Sequence, residues 1–271
     1  MPNSSKSTTI FIWIITVVIT LLSVVYQRMT GPTYPVSGKI TLQNTTVKYK
    51  LLRSHDTTSD ALIKLKVPDE QVTGEMRWRH HPSNENWKTD SLARDGEYLV
   101  ARIAKEPAAG KVMYQIALID RQGEKHFLTE KPIIIRFKGH VPIFILIPHI
   151  FFIFLAMLLG TRTGIEAIMK REKIYRYALI TTVLFFIGGL ILGPIVQKYA
   201  FDAYWTGWPF GHDLTDNKVA VSFLLWLIAL WRGRGENPGR GWFIAAAVVQ
   251  LVIFLIPHSV LGSEIDYTQV K

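Results

Sequence analysis

Hydrophobic positions along this chain follow two different rules. Between residues 37 and 138 they alternate with polar positions in short runs. These runs are KITL (39–42), TVKYKLL (46–52), ALIKLKV (61–67), GEMRWRH (74–80), EYLVARI (97–103), KVMYQIALI (111–119) and KPIIIRF (131–137). Alternation with turn residues between the runs predicts strands with one buried face, and seven such strands in about 100 residues predict a β-sandwich. On either side the apolar residues run without interruption, over 9–25, 141–160, 177–197, 219–231 and 242–257. A helix needs about 20 apolar residues to cross the hydrocarbon core. The expected architecture is therefore membrane α plus all-β. An N-terminal transmembrane anchor (1–29) precedes an external sandwich (30–140), and a four-helix transmembrane bundle (141–271) with an external loop at 199–218 follows.

Composition agrees with a membrane protein. Nearly half of the 271 residues (49%) are hydrophobic. The formal net charge of +10 does not point to nucleic acid, because no segment combines dense basic charge with interleaved aromatics. The excess sits instead where orientation signals sit. Loop 161–176 has five Lys/Arg against two Glu, and 232–240 has three Arg against one Glu. Segment 198–218 has two Lys against three Asp. The positive-inside rule then places the N-terminus and both basic loops in the cytoplasm. The sandwich, the 199–218 stretch and the C-terminus fall outside, with five spans in alternation. No A-x-A-like site follows 9–25, so this run reads as an uncleaved anchor. The chain has no cysteine, which removes disulfides and thiolate chemistry and is compatible with the periplasmic side of a bacterial inner membrane.

The run MRWRHHPSNENWKTDSLARDGEYLVARIAKEPAAGKVMYQIALIDRQGE (76–124) adds a resemblance. It is similar to the fibronectin-III-like or immunoglobulin-like modules of bacterial surface proteins. An aromatic strand and a Trp lead to a G-x-Y-x-A-x-I strand, a Pro-containing turn and a G-K-V-x-Y-x-I strand ending in D-x-x-G. The resemblance implies core positions for Trp78, Trp87, Tyr98 and Tyr114, and says little about function. His80 and His81 are neighbours on a strand and point to opposite faces, so they read as a solvated strand end rather than a chelating pair. His55 and His126 stand without ligand spacing.

Polar residues within apolar surroundings carry the candidate chemistry. His149 lies eight residues into the second span, about 12 Å deep, and follows Pro148. His258 ends the fifth span after Pro257, and both occur in I-P-H. His140 and His212 lie at the same expected face. DLTDNK (213–218) starts a helix, with Asp213 or Thr215 as the cap and Asp216 at the positive helix end. Trp205, Trp208 and Phe210 form an interfacial aromatic loop with glycine hinges. Gln250 reads as an interhelical hydrogen bonder. Gly188, Gly189 and Gly193 read as close-packing positions, and Pro194 as a kink.

Three functions fit these residues. The first is a binding or scaffolding component of an envelope assembly, with membrane lipids and a protein, glycan or lipid partner. The second is a transition-metal or b-haem site drawn from His149, His212, Asp213, Asp216, His258, Glu264 and Asp266, since imidazoles and carboxylates ligate such metals. The third is a membrane-surface enzyme acting on a lipid-linked substrate through His212, Asp213 and Asp216. No catalytic motif accompanies the third, so binding is favoured over catalysis. No inverted repeat favours a transporter.

Overall fold

The computed structural model describes residues 6–42, 45–234, 239–257 and 262–269. These residues fall into two compact units. One comprises Met1–Pro32, Val141–Tyr199 and Ala203–Gly262, and the other Thr33–His140, Ala200–Asp202 and Ser263–Lys271.

The second unit is β-rich. Its strands are β1 (Val36–Leu42), β2 (Thr45–Leu51), β3 (Ser54–Asp56), β4 (Ala61–Lys66), β5 (Thr73–His80), β6 (Lys88–Ser91), β7 (Ala93–Asp95), β8 (Tyr98–Ile103), β9 (Lys111–Ile119), β10 (Lys125–Phe127) and β11 (Ile133–Lys138). They form a β1–β2 ribbon, a β4–β8–β7 sheet and a larger β3–β11–β9–β5–β6 sheet with β10 on β9. Each of the seven alternating runs became a strand. In β4 the pattern is strict: Ala61, Ile63 and Leu65 are buried and the residues between them are exposed. These side chains share one core with Leu99 and Ala101 of β8, and with Met76, Ile116, Ile135 and Phe137 of the larger sheet. Apolar faces of two sheets meeting in one core are consistent with a sandwich.

The expected core aromatics divide. Tyr114 is buried and donates to Leu52 O at 2.8 Å. Trp78 packs at the core edge. Tyr98 is 40% exposed, because the parity of β8 turns Leu99, Ala101 and Ile103 inward instead. Trp87 lies between β5 and β6 and packs beneath the guanidinium groups of Arg77 and Arg79. The described C-terminal residues also belong to this unit. Arg136 donates to Ser263 O, Lys111 pairs with Glu264, and Tyr267 N donates to Pro82 O at 3.2 Å.

The other unit is helical: α1 (Lys6–Thr30), α2 (Ile143–Ile168), α3 (Ile174–Phe185), α4 (Gly193–Phe201), α5 (Leu214–Arg232) and α6 (Arg240–Leu255). A π-helical segment, Phe186–Leu192, joins α3 to α4. By length and hydropathy, α1, α2, the continuous Ile174–Phe201 stretch and α5 can each cross a membrane, and α6 is a shorter apolar helix. The first helix is built into the bundle. Its buried stripe is Ile12, Thr16, Thr20 and Ser23, small enough for close approach, and each hydroxyl bonds a carbonyl one turn back. At its end Gln27 donates to Phe254 O at 2.6 Å.

Gln250 of α6 is buried and joins three helices, accepting from Trp226 Nε1 at 2.6 Å and donating to Ala156 O at 3.0 Å. The π segment ends at Leu192, and Pro194 follows in the first turn of α4. Proline lacks the N–H of a helical ladder and clashes with the preceding turn, and a widened turn relieves both. Gly188, inside that segment, packs against α2, where an added Cβ would lie 3.0 Å from Phe152 Cβ.

One boundary differs from the sequence expectation. Thr161–Ile168 is not loop but the last two turns of α2, and Arg162 and Glu166 are buried in it at 1% and 2% exposure.

Candidate functional site

The segment between α4 and α5 forms a small built structure around two carboxylates. Asp213 caps α5, accepting from Thr215 N at 2.8 Å, which satisfies one of the free N–H groups of the first turn. Asp216, one turn on, points back into the loop. Its Oδ2 accepts from Thr206 N at 2.7 Å, Gly207 N at 3.0 Å and Gln197 Nε2 at 3.1 Å. Thr206 Oγ1 also reaches Asp213 Oδ2 at 3.2 Å, so the two acids meet on one threonine. Asn217 Oδ1 accepts from Trp208 N at 2.6 Å. Both Asp213 and Asp216 are buried.

Gly207 makes this closeness possible: a Cβ there would lie 2.6 Å from Asp216 Cβ and 2.8 Å from Asn217 Oδ1. What the loop presents outward is aromatic. Trp208 is 77% exposed and Phe210 82%, while Trp205 is half-buried and donates through Nε1 to Trp208 O at 3.1 Å. α5 is thereby lengthened beyond the apolar run 219–231. DLTDNK forms its cap and first turn, and the buried Lys218 donates to Ile256 O at 2.8 Å.

His149 in α2 bonds through Nδ1 to Gly188 O at 2.9 Å, so Nδ1 carries the proton and the ring locks α2 to the π segment. His212 is exposed. His258 lies outside the described residues. Glu264 pairs with Lys111 in the β unit. Asp266 is an Asx-turn residue. Its carboxyl accepts from Thr268 Oγ1 and from Thr268 N, and these bonds hold it below the usual carboxylate range. Among the described residues, three ligand-type side chains converge within 4.8 Å in one group, Asp120, Glu124 and His126. That group is a hairpin turn: Asp120 accepts from the N–H groups of Gln122 and Glu124 and from His126 Nε2 at 2.9 Å. The bond with His126 holds the Asp120 carboxyl below its ordinary range.

Two clusters escaped the sequence reading. His80 is not a solvated strand end. Its Nδ1 meets Glu85 Oε2 at 2.9 Å and its Nε2 meets Glu106 Oε1 at 3.2 Å, while Tyr267 stacks on its ring at 4.5 Å. Tyr267 in turn donates to Glu106 Oε2 at 3.0 Å, and burial pushes its phenol upward. The bond from His80 lowers Glu85. The second cluster is the ion-paired set in the helical unit, where Arg162 binds Glu166 and Arg171 Nε lies 3.4 Å from Glu166 Oε2. A signal for this set was present: R-x-x-x-E at one-turn spacing follows the apolar run with no proline or cap between.

Among the described residues, four helices long and apolar enough to cross a membrane, with a separate β-rich unit, fit a multi-pass membrane protein carrying a β domain. Protein-family models and curated proteins were both compared with the chain, and neither gave a match.

Proposed function

We propose that this chain is a binding and scaffolding component of an envelope assembly, held in a bacterial inner membrane by five helices. The N-terminus is cytoplasmic, and the β domain, of fibronectin-III or immunoglobulin type, is periplasmic together with the C-terminus. The charge bias of the loops supports this orientation. One observation carries the function: a loop fixed from behind by Asp213, Asp216 and Asn217 holds Trp208 and Phe210 in the open. Exposed aromatics on a pre-ordered backbone are what a recognition surface needs, because little entropy remains to be lost on binding. The same bonds speak against acid–base catalysis here, since the Asp216 oxygen that faces the loop is engaged by backbone and side-chain donors.

Photo-crosslinking tests the reading. A photoreactive residue at position 208 or 210 of the full-length protein, irradiated in native membranes, is expected to give a recurrent protein or glycan adduct. That adduct is expected to weaken when a wild-type excess competes. Adducts to phospholipid alone would make the loop an anchor and defeat the scaffold reading.

A further inference from the structure

A different part of the helical unit carries a second binding site. Where α2 ends and α3 begins, and where α5 ends and α6 begins, a cavity of about 510 Å³ opens. Among the described residues, Arg171, Arg234 and Arg240 line it against one acid, Glu172, together with the apolar Ile174 and Phe243. We propose that this cavity binds the phosphate of an anionic lipid headgroup.

Three observations converge on an anion. First, the helix ends here run against their own dipoles. α5 obeys the dipole rule, with Asp216 in its first turn and Arg232 in its last. α3 and α6 start beside Lys173 and at Arg240, have no acid in their first turns and have no side-chain caps. Positive helix ends thus meet positive side chains around one cavity, and their first-turn N–H groups lack a side-chain acceptor. Second, Arg171 is pre-positioned. Its Nε lies 3.4 Å from Glu166 Oε2 and its Nη2 donates to Thr9 Oγ1 at 2.9 Å. Third, the same Glu166 also pairs with the buried Arg162. Arg162 Nε and Nη1 have no hydrogen-bond partner among the described residues, and its group lies 4.7 Å over the Trp13 ring. Buried guanidinium donors without acceptors are costly, and an anion held by Arg171, which lines the cavity, adds negative charge to this cluster.

The surroundings favour a lipid as the source of the phosphate. Ile168 (64% exposed), Trp231 (63%) and Trp242 (41%) flank these same helix ends and offer apolar surface for acyl chains. Basic pockets between membrane helices recognise anionic headgroups in this way. An orientation signal requires only an excess of basic residues, and explains neither the cavity nor the shared Glu166. The site is separate from the aromatic loop and does not rest on its function.

The test is a thermal-unfolding titration of detergent-purified full-length protein. The probes are short-chain phosphatidylglycerol, short-chain phosphatidylcholine and inorganic phosphate. Phosphatidylglycerol is expected to raise the midpoint saturably, phosphatidylcholine far less, and phosphate only at much higher concentration. In R234Q the half-saturating concentration should rise about fivefold, and in R234Q/R240Q roughly thirtyfold. The K170Q control removes a charge from the same end without touching the cavity lining, and should titrate like wild type. Equal responses to the two lipids, an unaltered R234Q, or a loss in K170Q equal to that in R234Q would each overturn the site. Saturation by phosphate at lipid-like concentrations would overturn the lipid assignment in favour of a free phosphate compound. R234Q alters an exposed side chain, so it keeps the test decisive if the double variant does not fold.

Discussion

Asp216→Ala is the sharpest probe of the loop that carries the proposed binding role. The substitution removes the acceptor for Thr206 N and Gly207 N, and Gly207 is buried. Hydrogen bonds to an ionised acceptor contribute about 1.5–3 kcal/mol each. The two backbone bonds at the low end of that range give about 3 kcal/mol, and the lost acid in the first turn of α5 adds about 0.3–1 kcal/mol. The loop is tied to the helix through this carboxylate, Asn217 and Asp213, so the loss falls on local opening before it falls on global unfolding. About 3 kcal/mol corresponds to a roughly 150-fold larger opening constant for the amides of residues 206 and 207. Hydrogen–deuterium exchange of the full-length protein in micelles, followed on peptides spanning 203–213, reads this directly. Gly207→Ala should give the same local result from the opposite side, because its Cβ would lie 2.6 Å from Asp216 Cβ. If both variants exchange at the wild-type rate here, the carboxylate does not hold the loop, and the exposed aromatics are not pre-ordered.

Gln250→Leu should lower the unfolding midpoint by a few degrees, a loss of about 1–2 kcal/mol, because Trp226 Nε1 and Ala156 O both lose their partner. An unchanged midpoint in scanning fluorimetry would remove Gln250 as the junction of α2, α5 and α6. The β unit should lose stability in acid. Asp60 is held low by the N–H of Lys105 and then by Arg102, Asp69 by Arg121, Asp120 by His126 and Glu85 by His80. Carboxyls with lowered folded values contribute stability above their ordinary range and lose it as pH falls through those values, so the steep loss is expected below about pH 4. His81, kept low by burial, adds a shallower loss beginning below about pH 6.5, because the unfolded ring takes a proton first. Circular dichroism of the strand signal against pH, with D60N, D120N and H81Q, separates these contributions. Acid limbs that superimpose on wild type would refute the assignment.

Much of the fold was legible because its cause is local. Alternation in ALIKLKV needs only the two-residue period of a strand and one buried face, and β4 follows it residue by residue. The cap at Asp213 was legible for the same reason, since an N-cap acts on residues two positions away. Parity was harder. A Tyr in G-x-Y-x-A-x-I can face either side of its strand, and only pairing with β4 and β7 decides that Leu99 and not Tyr98 turns inward. That Asp213 and Asp216 meet on Thr206 while His149 bonds Gly188 O also had no sequence signature. Shared apolar surroundings place residues at a similar depth, whereas convergence requires helix rotation. His149 is turned toward Gly188 O by a π segment whose existence depends on Pro194 in the following turn.

The buried ion pair shows where a hydropathy reading misleads. A window average ends a span at its first charged residue, so Arg162 looked like the start of a loop. Helix geometry sees instead that Arg162 and Glu166 are one turn apart and can neutralise one another along the same face. Glu166 also accepts the approach of Arg171 beyond the helix end, and its backbone carbonyl accepts from Arg171 N at 3.0 Å. The chain thus folds Arg171, the second basic residue after the helix, back onto the last acid within it. The same basic residues can serve two purposes: their number biases orientation, while Arg171, drawn to Glu166, also lines the cavity where α3 and α6 begin. Counting charges in loops reaches the first purpose and is blind to the second, which depends on where α2 stops.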